Sequence, residues 1–312
     1  MFTFLTISYN HEEFIIEHLE SIKYQINRYG GGDEFKYILS DDCSKDNTVS
    51  LVEKWLSMNK GLFKETEILR SEKNQGIVKN YLKATNAIGP GKFKALAGDD
   101  LYYKNNILFF DNYDLVFTPV IEFFDNTFRI NPLSIAFLIQ NKETHRLKTL
   151  VNYANPFNAP GTFINDKLIK DKHLRSFISQ YRWIEDYPTW YYIFNNNENI
   201  NCIIGHDPYV IYRITSGISK SGAHTKNHDF IEEEKQMRKK LKVKIYRFPK
   251  MINPYLYYWK FLKLKLKIVD FRTNPEIRAF NQKIESGIKE ASEYFHEIRS
   301  NAKNFYKQIE VN

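Results

Sequence analysis

Lys94-Ala95-Leu96-Ala97-Gly98-Asp99-Asp100-Leu101-Tyr102-Tyr103 is the stretch whose reading decides the fold. An apolar run, opened by Phe93, leads straight into a glycine and two consecutive carboxylates. The run predicts a short buried strand. Gly98 opens the chain, so the carboxylates fall at the strand's carboxyl end, where open α/β sheets place their ligands. Two adjacent carboxylates in one mouth repel each other unless positive charge lies close by. A divalent cation carrying a diphosphate meets that need, because hard cations take oxygen ligands and share them with phosphate. Gly-Asp-Asp is also ordinary turn chemistry, so the neighbouring elements decide between the two.

The chain has 312 residues, 43% hydrophobic and 16% aromatic. That is enough for one large α/β domain with an appendage, or for two smaller domains. A net charge of +8 points to an anionic partner: nucleic acid, nucleotide phosphates or an anionic membrane surface. The only cysteines, Cys43 and Cys202, form neither a disulfide framework nor a metal-ligand spacing. A reducing cytosol is the default compartment for such a chain. Met1 to Ser8 lacks a basic leader and a small-residue cleavage site, and no apolar run approaches the length of a bilayer span.

Working outward, residues 2–8 are β-branched and aromatic, a first strand ending at Ser8-Tyr9-Asn10-His11. Ile15, Leu19, Ile22 and Ile26 recur at helical spacing, which predicts a helix over 12–27 with Glu12 and Glu13 in its first turn. Gly30-Gly31-Gly32 precedes a strand instead of following one, so it is not a dinucleotide-binding fingerprint. Phe35 to Leu39 is a second strand, ending at Ser40-Asp41-Asp42-Cys43-Ser44-Lys45-Asp46-Asn47-Thr48, with a helix beyond. Glu67 to Arg70, Asn74-Gln75-Gly76 and a helix over 77–88 complete the approach to the opening stretch. This β-α-β-α-β-α-β alternation predicts a Rossmann-like, mostly parallel sheet with helices on both faces and polar clusters gathered on one edge.

Farther on, Asp114 to Phe124 reads as a strand, Asp125-Asn126 as a turn and Thr127 to Ile130 as its return. Ile135 to Ile139 is apolar and ambiguous, and Phe163 to Ile169 reads as the start of a helix. Trp183-Ile184-Glu185-Asp186-Tyr187-Pro188 precedes an aromatic helix, Thr189 to Phe194, with Pro188 suited to the first helical position. Tyr209 to Ile214 is a strand and Thr215 to His228 a flexible loop. Residues 231–247 are dense in charge, and residues 274–310 are polar and helical.

These signals, in this order, resemble family 2 glycosyltransferases of the GT-A fold. Thr6-Ile7-Ser8-Tyr9-Asn10, with Phe14 and Leu19-Glu20-Ser21-Ile22, is similar to the family's opening strand and helix. Ser40 to Thr48 resembles its Asp-Asp-Gly-Ser-x-Asp-x-Thr loop, with Cys43 in place of the glycine. Asn74-Gln75-Gly76 resembles its Asn-x-Gly turn. Gly98-Asp99-Asp100 stands where the family carries its metal motif, without the further preceding Asp of many members, and Glu185-Asp186 stands where it carries the base. The likeness covers about residues 1–190. It implies a nucleotide-sugar-binding half over 1–113, an acceptor-binding half over 114–230 and a mostly helical, basic C-terminal extension over 231–312.

The activity so implied is a metal-dependent, inverting transfer of a sugar from a nucleoside diphosphate, with UDP the expected nucleotide, to a hydroxyl of a glycan or polyprenyl-linked acceptor. Asp100 would hold Mn²⁺ or Mg²⁺, and Asp99 would reach the ribose or a metal-bound water, both ionised at neutral pH. Asp41 would accept the N3–H of uracil, or else cap the following helix. Ser8 and Asn10 would frame the base. Asn74 and Lys79 would lie behind the diphosphate, and Arg213, in a lid over 212–219, would pair with it. Asp186 is the expected general base at a helix start, Glu185 an acceptor contact, and Trp183 either a sugar-stacking ring or a core residue. His224 and His228 are candidates for touching the metal.

The lysine-aromatic stretch 255–268 reads equally as an anionic-membrane contact, at the inner face of the plasma membrane, and as a packing element with solvated lysines. Two other functions compete. A sugar-phosphate nucleotidyltransferase would want a glycine-rich loop after the first strand, which Ser8-Tyr9-Asn10-His11-Glu12-Glu13 lacks. A basic nucleic-acid-binding protein would leave the acidic loops unexplained.

Overall fold

In the computed structural model, which describes residues 1–108, 113–130, 144–152, 155–214, 228–242 and 275–311, the first strand is the centre of the molecule. β1 (Phe2–Ser8) pairs in parallel with β2 (Phe35–Asp41) on one side and β4 (Lys92–Ala97) on the other. β3 (Glu65–Arg70) lies outside β2, giving the order β3-β2-β1-β4. Phe4 and Leu5 point to opposite faces and are both fully buried, as a strand covered by helices on both sides requires. The crossovers are α1 (Ile15–Tyr29), α2 (Thr48–Met58) and α3 (Ile77–Ala87). α1 turns Ile15, Ile16, Leu19 and Ile22 inward. Its start lies later than the spacing predicted, because the N–H groups of Phe14 and Ile15 both close on the carbonyl of His11. Glu12 is left outside the helix, where its side chain accepts the N–H of Asn47 at 2.9 Å.

Register fixes where the polar loops go. Ser8 stands opposite Asp41, and Ile7 opposite Ala97. The strands therefore end level, and the loops after β1, β2 and β4 share one edge.

The second half departs from the sequence reading. β5 (Leu101–Tyr102) follows the acidic pair. The single strand expected over 114–124 is two, β6 (Leu115–Phe117) and β7 (Ile121–Phe124), in different sheets. Pro119 lies between them and has no N–H to give a ladder. Thr118 turns aside, and both its N–H and its hydroxyl donate to the carbonyl of Gly161, at 2.9 and 2.8 Å. β8 (Thr127–Arg129) returns along β7 through Asp125-Asn126, both at positive φ, the geometry of a two-residue hairpin turn.

α4 (Thr144–Val151) follows. The helix expected from Phe163 is first a strand, β9 (Thr162–Ile164), antiparallel to β6. Only then does Asn165 cap α5 (Asp166–Ile169), its side chain accepting the N–H of Leu168 at 2.8 Å. α6 (Lys172–Ile178) and α7 (Asp186–Asn196) lead to β10 (Cys202–Ile204), parallel to β6. β11 (Val210–Arg213) runs between β5 and β7. α8 (His228–Lys240) and α9 (Pro275–Val311) complete the described chain. α9 buries Phe295 and Ile298 with Ile121 and Ile211. It is fastened to the acidic-pair region by the Tyr294 hydroxyl, which donates to the carbonyl of Tyr102 at 2.8 Å.

Ile135 to Ile139, the lid residues beyond Ile214, His224 and the 255–268 stretch lie outside the described residues; His228 begins α8. Among the described residues no helix is long and apolar enough to cross a membrane.

Candidate active site

At the carboxyl edge of the parallel sheet a cavity of about 620 Å³ opens between the loops after β1, β2 and β4, the start of α3 and the start of α7. Of the residues singled out in the sequence, Ser8, Asn74, Asp99, Asp100, Trp183, Glu185 and Asp186 line it. Asn10, Asp41, Lys79 and Arg213 are not among its lining residues.

The four outside it have other partners or positions. Asp41 is buried, and its carboxylate is used by the end of β1 and by its own loop. Oδ1 accepts from the hydroxyls of Ser8 (2.9 Å) and Ser44 (2.5 Å), and Oδ2 from the N–H of Ser44 (2.8 Å). Asn10, at φ +54°, ties the first loop to the second: its Oδ1 accepts the N–H of Lys45 and its own N–H donates to the Ser44 hydroxyl, each at 2.8 Å. Lys79 is exposed on α3. Arg213 is 2% exposed, and its guanidinium pairs with Glu17, which also takes Arg299 Nε at 3.0 Å.

The carboxylate that does face the cavity from the β2 loop is Asp42, which the sequence reading passed over. Asp41 is the last strand residue, paired with Ser8, so the next side chain turns the opposite way. The strand's alternation was the signal that could have found it. Asp42 accepts the N–H groups of Gln75 at 2.9 Å and Gly76 at 2.8 Å, fixing the Asn74-Gln75-Gly76 turn against the second loop. Gly76 has φ +92°, and a Cβ there would lie 2.4 Å from Arg182 Cγ and 2.7 Å from its carbonyl. Glycine is thus what lets the start of α3 approach the turn before α7. Cys43 takes φ +68° without being a glycine.

Arg213 holds the acidic pair from behind. Its backbone N–H donates to Asp100 Oδ1 at 2.8 Å and its Nε to the Asp99 carbonyl at 2.6 Å. His18 Nδ1 lies 2.7 Å from the Asp100 carbonyl and Nε2 2.8 Å from the Thr6 hydroxyl. Burial pushes His18 down to about 4. It is therefore neutral at physiological pH, donating through Nδ1 and accepting from Thr6 through Nε2. Asp100 is 1% exposed, and burial with the neighbouring Asp99 charge raises its carboxyl well above the usual carboxylate range.

Asp186, which lines the same cavity, is the first residue of α7. Its Oδ2 accepts from Asn155 Nδ2 at 2.7 Å, and its Oδ1 accepts the N–H of Tyr187 at 2.6 Å. Pro188 is the third helical residue instead of the first; the first-turn N–H it lacks has no intrahelical partner in any case. Glu185 is pushed up to about 8 by burial and then by the Asp186 charge, and burial raises Asp186 as well.

Asp99 and Asp100 supply hard oxygen donors, and a cation would relieve the burial and mutual repulsion that raise Asp100. The pair fits a divalent ion. Among the described residues no group of three or more His, Cys, Asp or Glu is assembled into a metal site, so further ligands would come from a diphosphate or from water.

A family profile described as Glycosyl transferase family 2 matches residues 3–173, more than half of the chain. Among solved structures, residues 1–349 of S. aureus TarS in complex with UDP-GlcNAc are 17% identical, with a TM-score of 0.55, covering 99% of this chain and 90% of that one. The same protein in complex with UDP is 19% identical (TM-score 0.52; 81% and 78% covered). The mannosyltransferase PcManGT from Pyrobaculum calidifontis, in complex with GDP-Man and Mn2+, is 16% identical (TM-score 0.53; 93% and 75% covered). No curated protein matches. At these identities the structures attest the fold, and the profile attests the family. The chain belongs to glycosyl transferase family 2 and is a glycosyltransferase of the GT-A fold.

Proposed function

We propose that this enzyme moves a sugar from a nucleoside diphosphate, UDP first among candidates, to a hydroxyl of a glycan or lipid-linked acceptor, with inversion and with a divalent metal. The observation that carries this reading is that Asp99 and Asp100 line the same cavity as Asp186. Leaving-group chemistry and proton removal are then within one substrate's reach. The TarS complexes with UDP and UDP-GlcNAc, and the PcManGT complex with GDP-Man and Mn2+, support the donor class and the metal by likeness of fold.

Asp42, beside Ser8, Tyr9 and Asn74 on the cavity wall, takes over the base-reading role expected of Asp41. Two of its acceptor positions are used by Gln75 and Gly76, and a carboxylate has about four. Two remain, and one of them can take the N3–H of uracil, a donor that cytosine lacks. Asp100 and Asp99 would hold Mn²⁺ or Mg²⁺, which when bound supplies Lewis-acid neutralisation of the departing diphosphate. Asp186 takes the proton of the acceptor hydroxyl as its oxygen bonds to the anomeric carbon and the bond to the diphosphate breaks. Trp183 offers a ring face to the acceptor, and Glu185 a polar contact. The basic composition suits work at the inner face of an anionic membrane, where lipid-linked acceptors are held.

Calorimetry with UDP, with and without MnCl₂, on wild type and Asp100→Ala tests the reading. Manganese-dependent UDP binding that the substitution abolishes supports it. Binding indifferent to both metal and substitution refutes it.

A further inference from the structure

We propose that Glu233 is a positioning residue for Asp186, so that α8 is the acceptor-side clamp of the cleft; this rests on the transferase reading above. The turn at 182–184, just before Glu185 and Asp186, has no regular secondary structure to hold it. Its three consecutive N–H groups all end on one side chain. Glu233 Oε2 accepts from Arg182 at 2.7 Å, and Oε1 from Trp183 at 2.8 Å and Ile184 at 3.2 Å. From the other side, the N–H of Val78 donates to the Arg182 carbonyl at 3.2 Å. The base is thus reached from two directions, through α3 and through α8.

α8 is itself seated on the cleft. Met237 and Leu241 are buried with Val78, Tyr181, Ile184 and Tyr187, and Phe230 forms part of the cavity wall near Trp183. The family match ends at residue 173, so this helix, like Asp186 itself, lies beyond the matched residues.

Glu233 also sets charge. Its carboxylate adds to the repulsion that raises Glu185. The other charged or titratable groups facing Glu185 and Asp186 are Tyr81 from α3 and Arg238 from α8. Glu233→Gln keeps an acceptor for Trp183 and Ile184 but removes the negative charge. Glu233→Ala removes both, and Glu233→Asp keeps the carboxylate on a shorter stem.

The test measures two things on the full chain with MnCl₂ present. One is UDP and GDP affinity by calorimetry; the other is hydrolysis of UDP-glucose, UDP-galactose, UDP-N-acetylglucosamine and GDP-mannose as a function of pH. Glu233→Ala is expected to leave nucleotide affinity within about twofold while lowering kcat on the order of tenfold to a hundredfold, as a misplaced catalytic group does. Glu233→Asp is expected to recover part of that loss, and Glu233→Gln to move the acid limb of the pH profile to lower pH. Wild-type kcat in Glu233→Ala overturns the proposal, as does joint loss of kcat and nucleotide affinity in both Ala and Gln variants. A wild type that binds neither nucleotide refutes the transferase reading instead. Nucleotide binding with no turnover of any donor removes the base assignment, and this proposal with it.

Discussion

Lys94 should make the stability of this enzyme rise with pH through a range where most proteins are flat. It sits on β4 at the cavity floor, 1% exposed. Its ammonium donates to the carbonyls of Pro160 at 2.7 Å and Thr162 at 2.8 Å, and lies 4.8 Å from the centre of the Phe163 ring. Burial pushes it down from 10.5 to about 7, against the pull of the Asp100 charge. Above pH 10.5 the amine is neutral folded and unfolded, and costs nothing. Between 10.5 and about 7 only the unfolded chain takes up the proton, so stability falls by about 1.4 kcal/mol for each pH unit of acidification. Below about 7 both states are charged and the full cost stands, on the order of 5 kcal/mol. Lys94→Met keeps the volume and deletes the titration. It also leaves the two carbonyls without that donor, at about 1–3 kcal/mol each, so the absolute stabilities of the two proteins nearly cancel. The slope does not. Denaturant unfolding at pH 7, 8 and 9 should show wild type gaining about 1.4 kcal/mol per pH unit relative to the variant. Parallel pH profiles would refute this account of the cavity floor.

Two further outcomes follow from the same geometry. Cys43→Gly relieves a non-glycine residue held at φ +68°, a conformation that costs about 1–2 kcal/mol. Glycine's greater freedom in the unfolded chain offsets part of that, so thermal unfolding should show a net gain of about 0.5–1 kcal/mol, and a lowered Tm would count against the strain. The carboxyls of Glu185 and Asp186 are both raised, Glu185 to about 8, and the base must be ionised to work. The acid limb of kcat/KM should therefore lie above the ordinary carboxylate range of about 4, and activity undiminished down to pH 5 would contradict it.

The first half of the fold was legible because it is built from local signals. Alternating apolar strands and amphipathic helices, each ended by a polar cluster, predict parallel order, and parallel order predicts level strand ends. The Ser8, Asp42 and Asp99-Asp100 ends fall on one cavity for that reason. What failed was either nonlocal or finer than one residue. Pro119 splits a strand that composition alone reads as continuous, and Thr162–Ile164 is a strand because β6 lies beside it, which no local window contains. Asp41 and Asp42 are chemically identical, and only the register with Ser8 separates the loop anchor from the cavity wall. Arg213 read as a phosphate ligand because nothing in sequence announces Glu17 and the aromatic rings of Phe14 and Phe295 around it. The 182–184 turn depends on Glu233, some fifty positions away, a dependence invisible to spacing.

The shared cleft is tested most directly by Asp186→Asn, assayed side by side for manganese-dependent UDP binding and for sugar turnover. If the Asp99-Asp100 pair and Asp186 divide the work within one cavity, UDP affinity stays at the wild-type value while kcat falls by roughly a hundredfold to ten-thousandfold. Turnover within a few-fold of wild type, or loss of UDP binding along with it, would contradict that division.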